Sequence, residues 1–172
     1  EIVPALGSVF LLIRRNLRNK IHKKELEVYP EITLIIPVYN SAEYTIWMYQ
    51  MINDSTYPND RIRIFLVNNK GKDNSFDIYA QCQQEFPELL MQWMNSEQGK
   101  SRALNLALYN SDGKYIINLD SDGMLEKNAL VNMITRFEND TAINCMTGSI
   151  LTVPEQIKNQ AGPSRLLREL EF

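Results

Sequence analysis

Asp120-Ser121-Asp122 places two carboxylates one residue apart, directly after the apolar run of residues 115–119 and before Gly123. Paired carboxylates on a short tether offer hard oxygen ligands. Magnesium or manganese suits such a pair, because these ions keep several waters and share the rest of their shell with phosphate oxygens. Lys100, about twenty residues earlier, stands at the start of a helical pattern, where its charge and the helix amides favour phosphate. An Asp-x-Asp alone also describes an ordinary solvated turn. The surrounding elements decide between the two readings.

The stretch ahead of the carboxylates has Ala103, Leu104, Ala107 and Leu108 at helical spacing, and Ser111-Asp112-Gly113 stops it. A short strand is then expected over 115–119. Upstream, 32–36 reads as a first strand closed by Pro37-Val38-Tyr39-Asn40. Ser41 is placed to cap a helix over 42–53. Residues 62–67 form a second strand ending in Asn68-Asn69-Lys70-Gly71, residues 74–86 a helix, and 89–94 a weaker third strand. After the carboxylates come a helix over 126–137, an apolar run over 143–153, and a helix start over 164–172. Strands alternating with helices predict an α/β fold, a mostly parallel central sheet with helices on both faces. Right-handed crossovers then gather the carboxyl ends of the strands at one edge, so Asn40, Asn68-Asn69 and Asp120-Asp122 converge on a nucleotide-sized crevice. No glycine-rich dinucleotide fingerprint follows the first strand, and Gly99-Lys100-Ser101 matches only the end of a phosphate loop.

A chain of 172 residues with 44% hydrophobic and 23% charged content supports one folded domain with a sizeable core. Cys82 and Cys145 lack metal-ligand spacing and are expected to be buried thiols in a reducing compartment. His22 sits in a basic run and is expected to be solvated. Residues 2–13 are apolar but too short for a bilayer, which needs roughly 20 residues. Six of the 18 basic residues follow within positions 14–24, with no acid among them before Glu25. Apolar followed by basic is the pattern of the cytoplasmic end of a membrane helix. Three spans are therefore expected: a basic amphipathic helix over 1–29, an α/β core carrying the nucleotide-sized crevice over 30–154, and the start of a further region over 155–172. Glu1 in place of methionine, and a charged amphipathic run at Phe172, read as a fragment of a longer protein.

Four segments in this order resemble the inverting glycosyltransferases of family 2, whose fold is called GT-A. "TLIIPVYN" is similar to the opening strand of that family, "VNNKGKDNS" to its second-strand segment, and "QGKSRALNLAL" with "GKYIINLDSDGMLEKNAL" to the approach to its Asp-x-Asp motif. The resemblance spans residues 32–154, and the "GKSRALN" form is nearer to membrane-embedded polysaccharide synthases. It implies a Rossmann-like donor-binding half with a manganese or magnesium cofactor. The implied donor is a nucleotide-diphosphate sugar, most naturally UDP-linked, and the acceptor a saccharide or a lipid-linked molecule. No nucleic-acid partner is implied. The implied donor contacts are Pro37, Tyr39 and Asn40, with Tyr39 flanking the base, then Asn69, Lys100, Asp120 and Ser121, while Asp122 and Asp120 hold the metal. The implied location is the cytoplasmic face of the cell membrane, reached through the amino-terminal region and through segments beyond Phe172.

Two departures accompany the likeness. Asn69 stands where the family usually places an aspartate, with Lys70 and Gly71 in place of Gly-Ser. The family's later Glu-Asp motif, which carries the general base, and its Gln-x-x-Arg-Trp motif have no counterpart before Phe172. Transfer is therefore expected to need more than this chain, with Glu97, Asp112 and Glu126 the first carboxylates to examine if it does not. Two other readings start from the same residues. A non-catalytic nucleotide-binding or scaffolding module would keep the fold without turnover. A nucleotidyltransferase would want a glycine-rich, Arg-containing loop after the first strand, which Pro37-Val38-Tyr39-Asn40-Ser41 is not.

Overall fold

A computed structural model describes residues 25–148, together with residues 7, 9–11, 13 and 14. Four strands, β1 Ile32–Val38, β2 Ile62–Asn68, β3 Leu90–Asn95 and β4 Tyr115–Asn118, form one sheet in the order β3-β2-β1-β4. All three pairings are parallel, with Ile32 opposite both Ile62 and Tyr115. Four helices alternate with them: α1 Ala42–Asn53, α2 Ser75–Glu85, α3 Lys100–Asn110 and α4 Ala129–Asn139.

The apolar run of β1 marks a strand covered on both faces, and all seven of its residues are buried. Its alternate side chains separate two cores. Ile32, Leu34, Ile36 and Val38 pack with Met48, Tyr49 and Ile52 of α1, Tyr79 and Cys82 of α2, and Leu130 and Ile134 of α4. On the other face, Ile35, Phe65 and Val67 meet Ala103 and Ala107 of α3. Two alanines one turn apart leave α3 without bulk on that side, so its backbone lies close to the sheet. Each large side chain buried in this way contributes about 1.5–3 kcal/mol of transfer free energy. From β1 to β3 the chain steps outward with α1 and α2 on one face. It then returns past β1 to β4 with α3 on the opposite face. Right-handed crossovers require that change of face when the stepping direction reverses. The reversal puts the topological switch point between β1 and β4.

Most expected elements lie within a residue or two of their sequence positions. Four details differ. The Ser41 side chain does not cap α1; the α1 residue Ala42 donates its N–H to Asp73 Oδ2 at 2.9 Å instead. Helix α4 starts at Ala129 rather than 126, because Glu126 folds back to accept from Asn128 N at 2.9 Å and forms the turn that precedes the helix. Residues 143–148 form neither strand nor helix, and the rest of that apolar run lies outside the described residues. Cys145 is exposed, whereas Cys82 is buried as expected, and burial raises its thiol pKa to about 11.

The expected helix start over 164–172, His22, and most of the basic run over 14–24 lie outside the described residues. The described residues among 7–14 are helical and exposed. Residues 25–29 are not helical, and Leu26 and Tyr29 pack against the larger core. Among the described residues no helix is long and apolar enough to cross a membrane.

Candidate active site at the carboxyl edge

Every strand of a parallel sheet delivers its following loop to the same edge. After β1 come Tyr39, Asn40 and Ser41, with Asn40 in the left-handed region at φ 49°. Asparagine is among the few non-glycine residues that visit this region readily. Its side chain ties the loop to the next one, accepting from Lys72 N at 2.8 Å. After β2, Asn69 N donates to Val38 O at 2.8 Å and extends the strand pairing by one step. Lys70 follows at φ 59°, and Asn68 Oδ1 accepts from Gly71 N at 2.9 Å across the turn.

Asp73 is the residue that the sequence reading passed over. Its Oδ2 accepts from Ala42 N at 2.9 Å, and its Oδ1 accepts from Ser75 N at 3.2 Å and Ser75 Oγ at 2.7 Å. One carboxylate thus satisfies amide donors at the amino ends of both α1 and α2, where helices leave donors unpaired. Partial burial pushes its pKa up, but the hydrogen bonds from Ser75 and Ala42 outweigh this and hold it below the ordinary range. An aspartate just ahead of a helix start was the available signal.

The loop after β4 is a tight turn in which Gly123 N donates to Asp120 O at 2.9 Å. Ser121 Oγ lies 2.7 Å from Ser41 Oγ, joining the loops of β1 and β4 across the switch point, and Ser41 Oγ also bonds Tyr39 O at 3.2 Å. Lys100 Nζ donates to Asp120 Oδ1 at 2.6 Å, with both side chains more than half exposed. Ahead of Lys100, Gly99 has φ 131°, a conformation that disfavours any Cβ, and its amide donates to Asn69 Oδ1 at 2.5 Å. The same glycine carbonyl accepts from Arg102 N and Ala103 N to begin α3.

The site residues read from sequence therefore divide. Asn40, Asn69, Lys100, Asp120 and Ser121 are linked by hydrogen bonds into the loops of this one edge. Asp122 is exposed in the same turn, and Tyr39 is 53% exposed beside it. Pro37 lies buried inside β1 opposite Val67, where it shapes the strand rather than meeting solvent. Among the described residues no three His, Cys, Asp or Glu side chains gather at one point. Two carboxylates fit a magnesium or manganese ion that takes its remaining ligands from phosphate and water. An open cleft of about 550 Å³ adjoins the site at the ends of β2 and β3, lined by Asn68, Lys70, Asn95, Ser96, Glu97, Arg102 and Leu106. Asn95, Ser96 and Leu106 went unmarked in the sequence. Parallel register is what brings Asn95 beside Asn68, with Asn68 Nδ2 donating to Asn95 Oδ1 at 3.1 Å.

A mostly parallel four-stranded sheet flanked by helices matches the GT-A fold of solved glycosyltransferases. The chain belongs to glycosyl transferase family 2, whose model matches residues 33–160, well over half of its length. It is 25% identical over 134 residues to the probable glycosyltransferase YdaM of Bacillus subtilis (strain 168), covering 76% of this chain and 32% of that protein. It is 22% identical over 170 residues to poly-beta-1,6-N-acetyl-D-glucosamine synthase of Staphylococcus aureus (strain COL), covering 97% of this chain and 39% of the synthase. The chain therefore spans roughly a third of the length of these curated relatives.

Two solved structures share the fold. Mannosyltransferase PcManGT from Pyrobaculum calidifontis, in complex with GDP-Man and Mn2+, superposes with a TM-score of 0.59 at 24% identity, over 77% of this chain and 40% of that one. S. aureus TarS 1-349 in complex with UDP superposes with a TM-score of 0.55 at 21% identity, over 63% of this chain and 32% of that one.

Proposed function

We propose that this chain binds a nucleotide-diphosphate sugar, most naturally a UDP-sugar, with manganese or magnesium at its carboxyl edge. It is the donor- and metal-binding part of an enzyme that passes the sugar, with inversion, to a saccharide or lipid-linked acceptor. The observation that carries this reading is the meeting of the β1 and β4 loops through Ser41 and Ser121, which sets the Asp120-Asp122 turn beside Lys100 and Tyr39. The binding of UDP by TarS, and of GDP-Man with Mn2+ by PcManGT, supports a nucleotide-sugar ligand. The synthase relative supports a saccharide product.

Asp122 would hold the cation directly, while Asp120 would take a ribose hydroxyl or metal-bound water. When bound, the cation supplies positive charge opposite the charge that builds on the departing diphosphate. Lys100, now on Asp120 Oδ1, would turn part of its donor capacity to a phosphate oxygen. Tyr39 would stack on the base, Asn69 would meet its edge, and Asn40 and Ser121 would line the floor between them, with Pro37 shaping the strand end behind. No side chain of this chain is assigned as the general base, so the chain alone is expected to bind donor without acceptor-dependent transfer. The exposed helical residues Val9, Phe10, Leu11 and Ile13, followed by the basic run, support placement at the cytoplasmic face of a membrane. Each basic side chain near an anionic surface adds about 1 kcal/mol. Association with anionic but not neutral vesicles, reversed by salt, checks that placement.

Thermal melting tests the donor site. UDP at about 100 times its dissociation constant should stabilise the fold by roughly 2.7 kcal/mol, more with manganese than with a chelator. Asp122→Ala should remove the metal-dependent part and leave the unliganded melting point unchanged. An equal shift with manganese and with chelator would overturn the metal assignment.

A further inference from the structure

The sheet ends laterally in two strands, β4 and β3, and the two are built differently. β4 is four residues long, and Lys114 and Tyr115 at its start are tied to Glu138 of α4. β3 runs for six residues in unbroken register with β2. Just past its end, Ser96 N donates to Asn68 O at 3.0 Å. Alternation along a strand then turns the main-chain groups of Leu90, Gln92 and Met94 toward β2, and those of Met91, Trp93 and Asn95 away from it. Met91 O accordingly accepts from the Tyr79 hydroxyl at 3.4 Å, outside the ladder. Among the described residues no strand pairs with that outer side. Soluble proteins blunt such a strand with charge, proline or a bulge. The sequence Leu-Met-Gln-Trp-Met-Asn has none of these. Apolar side chains flank it on both faces. Leu90 is 50% exposed, and the half-exposed Phe76 lies edge-on to the Trp93 ring at 5.4 Å.

We propose that β3 pairs antiparallel with β3 of a second copy of this chain, joining the two sheets into one. The strand is complementary to itself. With a two-fold axis at Trp93, Trp93 lies opposite Trp93 of the second copy, and Met91 lies opposite its Asn95. Residues opposed in this way exchange both main-chain bonds, so every outward N–H meets an outward carbonyl. Charge favours an identical partner. No charged side chain lies within the strand to face its like across the axis, and Glu97 beyond its end already holds Lys70 at 2.5 Å. Closure favours it too, because two-fold pairing stops at a dimer, whereas β3 on β4 of the next copy would grow without end. The carboxyl ends of the two sheets point in opposite directions, and both stay open.

Sedimentation equilibrium on the full chain gives the dimerisation constant, and amide hydrogen exchange at low and high protein concentration shows which amides close. Raising the concentration should slow exchange at Met91, Trp93 and Asn95, while Gln92 and Met94, bonded to β2, exchange slowly throughout. Met91→Pro removes one outward donor per copy, hence two bonds across the axis, and spares the β2 ladder. It should weaken dimerisation at least roughly tenfold. Gln92→Lys changes an exposed side chain, so the fold should survive even where the proline variant does not. It sets two ammonium groups diagonally across the axis and should weaken dimerisation roughly fivefold. A chain that stays monomeric would overturn the proposal. So would assembly beyond a dimer, a dimer indifferent to Gln92→Lys, or protection of the three outward amides that does not depend on concentration.

Discussion

The two edges of the sheet hold charge in different ways. At the amino edge, Arg63 Nη1 reaches both oxygens of Asp112, at 2.6 and 2.8 Å, and Arg61 lies 3.8 Å from Glu31. Lys114 and Tyr115 both donate to Glu138, and the Tyr115 ring stacks on Phe137. Gly113 is pressed against Thr33 of β1, and a cavity of about 30 Å³ lies among Arg61, Arg63 and Asp112 at this edge. The carboxyl edge has two left-handed residues, Asn40 and Lys70, a glycine at φ 131°, and lysines that each hold a single exposed carboxylate. Backbone strain costing on the order of 1–3 kcal/mol per residue persists only where surrounding bonds over-determine it, and such residues gather at functional sites. One edge spends its charges on closing the fold. The other keeps donors and carboxylates that a phosphate or a cation can take over.

The largest expected effect comes from opening the closed edge. A Cβ on Gly113 would sit 2.7 Å from Thr33 Oγ1 and 2.8 Å from Thr33 N, so Gly113→Ala must push β4 away from β1. Overpacking of this kind costs about 1–3 kcal/mol. A lower urea midpoint with unchanged slope would report it, and nucleotide affinity of the folded fraction should not move. Next comes Asp73→Ala, which takes the acceptor from the starts of α1 and α2 and should cost about 1–2 kcal/mol. Because the folded Asp73 pKa lies below its unfolded value, its contribution is complete above the unfolded pKa of about 4 and fades as pH falls through the folded one. Asp73→Asn should flatten that acid limb of the stability curve.

Lys70→Gly should act in the opposite direction and stabilise by about 1 kcal/mol, since glycine adopts φ 59° without a Cβ penalty and the lost pair with Glu97 is exposed. The smallest stability effects sharpen the contrast most. Arg63→Ala and Lys100→Ala each break one exposed pair and should change stability by no more than about 1 kcal/mol. Only Lys100→Ala should weaken nucleoside diphosphate binding, measurable by titration calorimetry. An equal loss of affinity in both variants would erase the distinction between the edges.

Strand and helix positions were legible because burial imposes local patterns. The apolar run of β1, and Ala103 with Ala107 on α3, each show a period that survives without knowledge of partners. The order of the polar loops was equally visible, since parallel strands send all of them to one edge. What stayed hidden depends on contacts between distant residues. Ser41 looked like a helix cap, but its hydroxyl meets Ser121, 80 positions away. Asp73 drew no role from its own surroundings, yet it bonds Ala42, 31 positions back. No local window contains both partners of such a pair. The Asn69 departure could be read in sequence, but the direction in which its amide points needed Gly99 beside it.

Paramagnetic broadening by manganese compares the edges in a single experiment. With 15N-labelled chain, UDP and sub-stoichiometric Mn2+, amide signals of Ser121, Asp122 and Gly123 should broaden most, followed by those of Asn40 and Lys100. Signals of Arg61, Arg63 and Gly113 at the amino edge should stay sharp, and Asp122→Ala should abolish the UDP-dependent broadening. Broadening centred on the amino edge, or spread equally over both edges regardless of UDP, would contradict a donor and cation site at the carboxyl ends of β1 and β4.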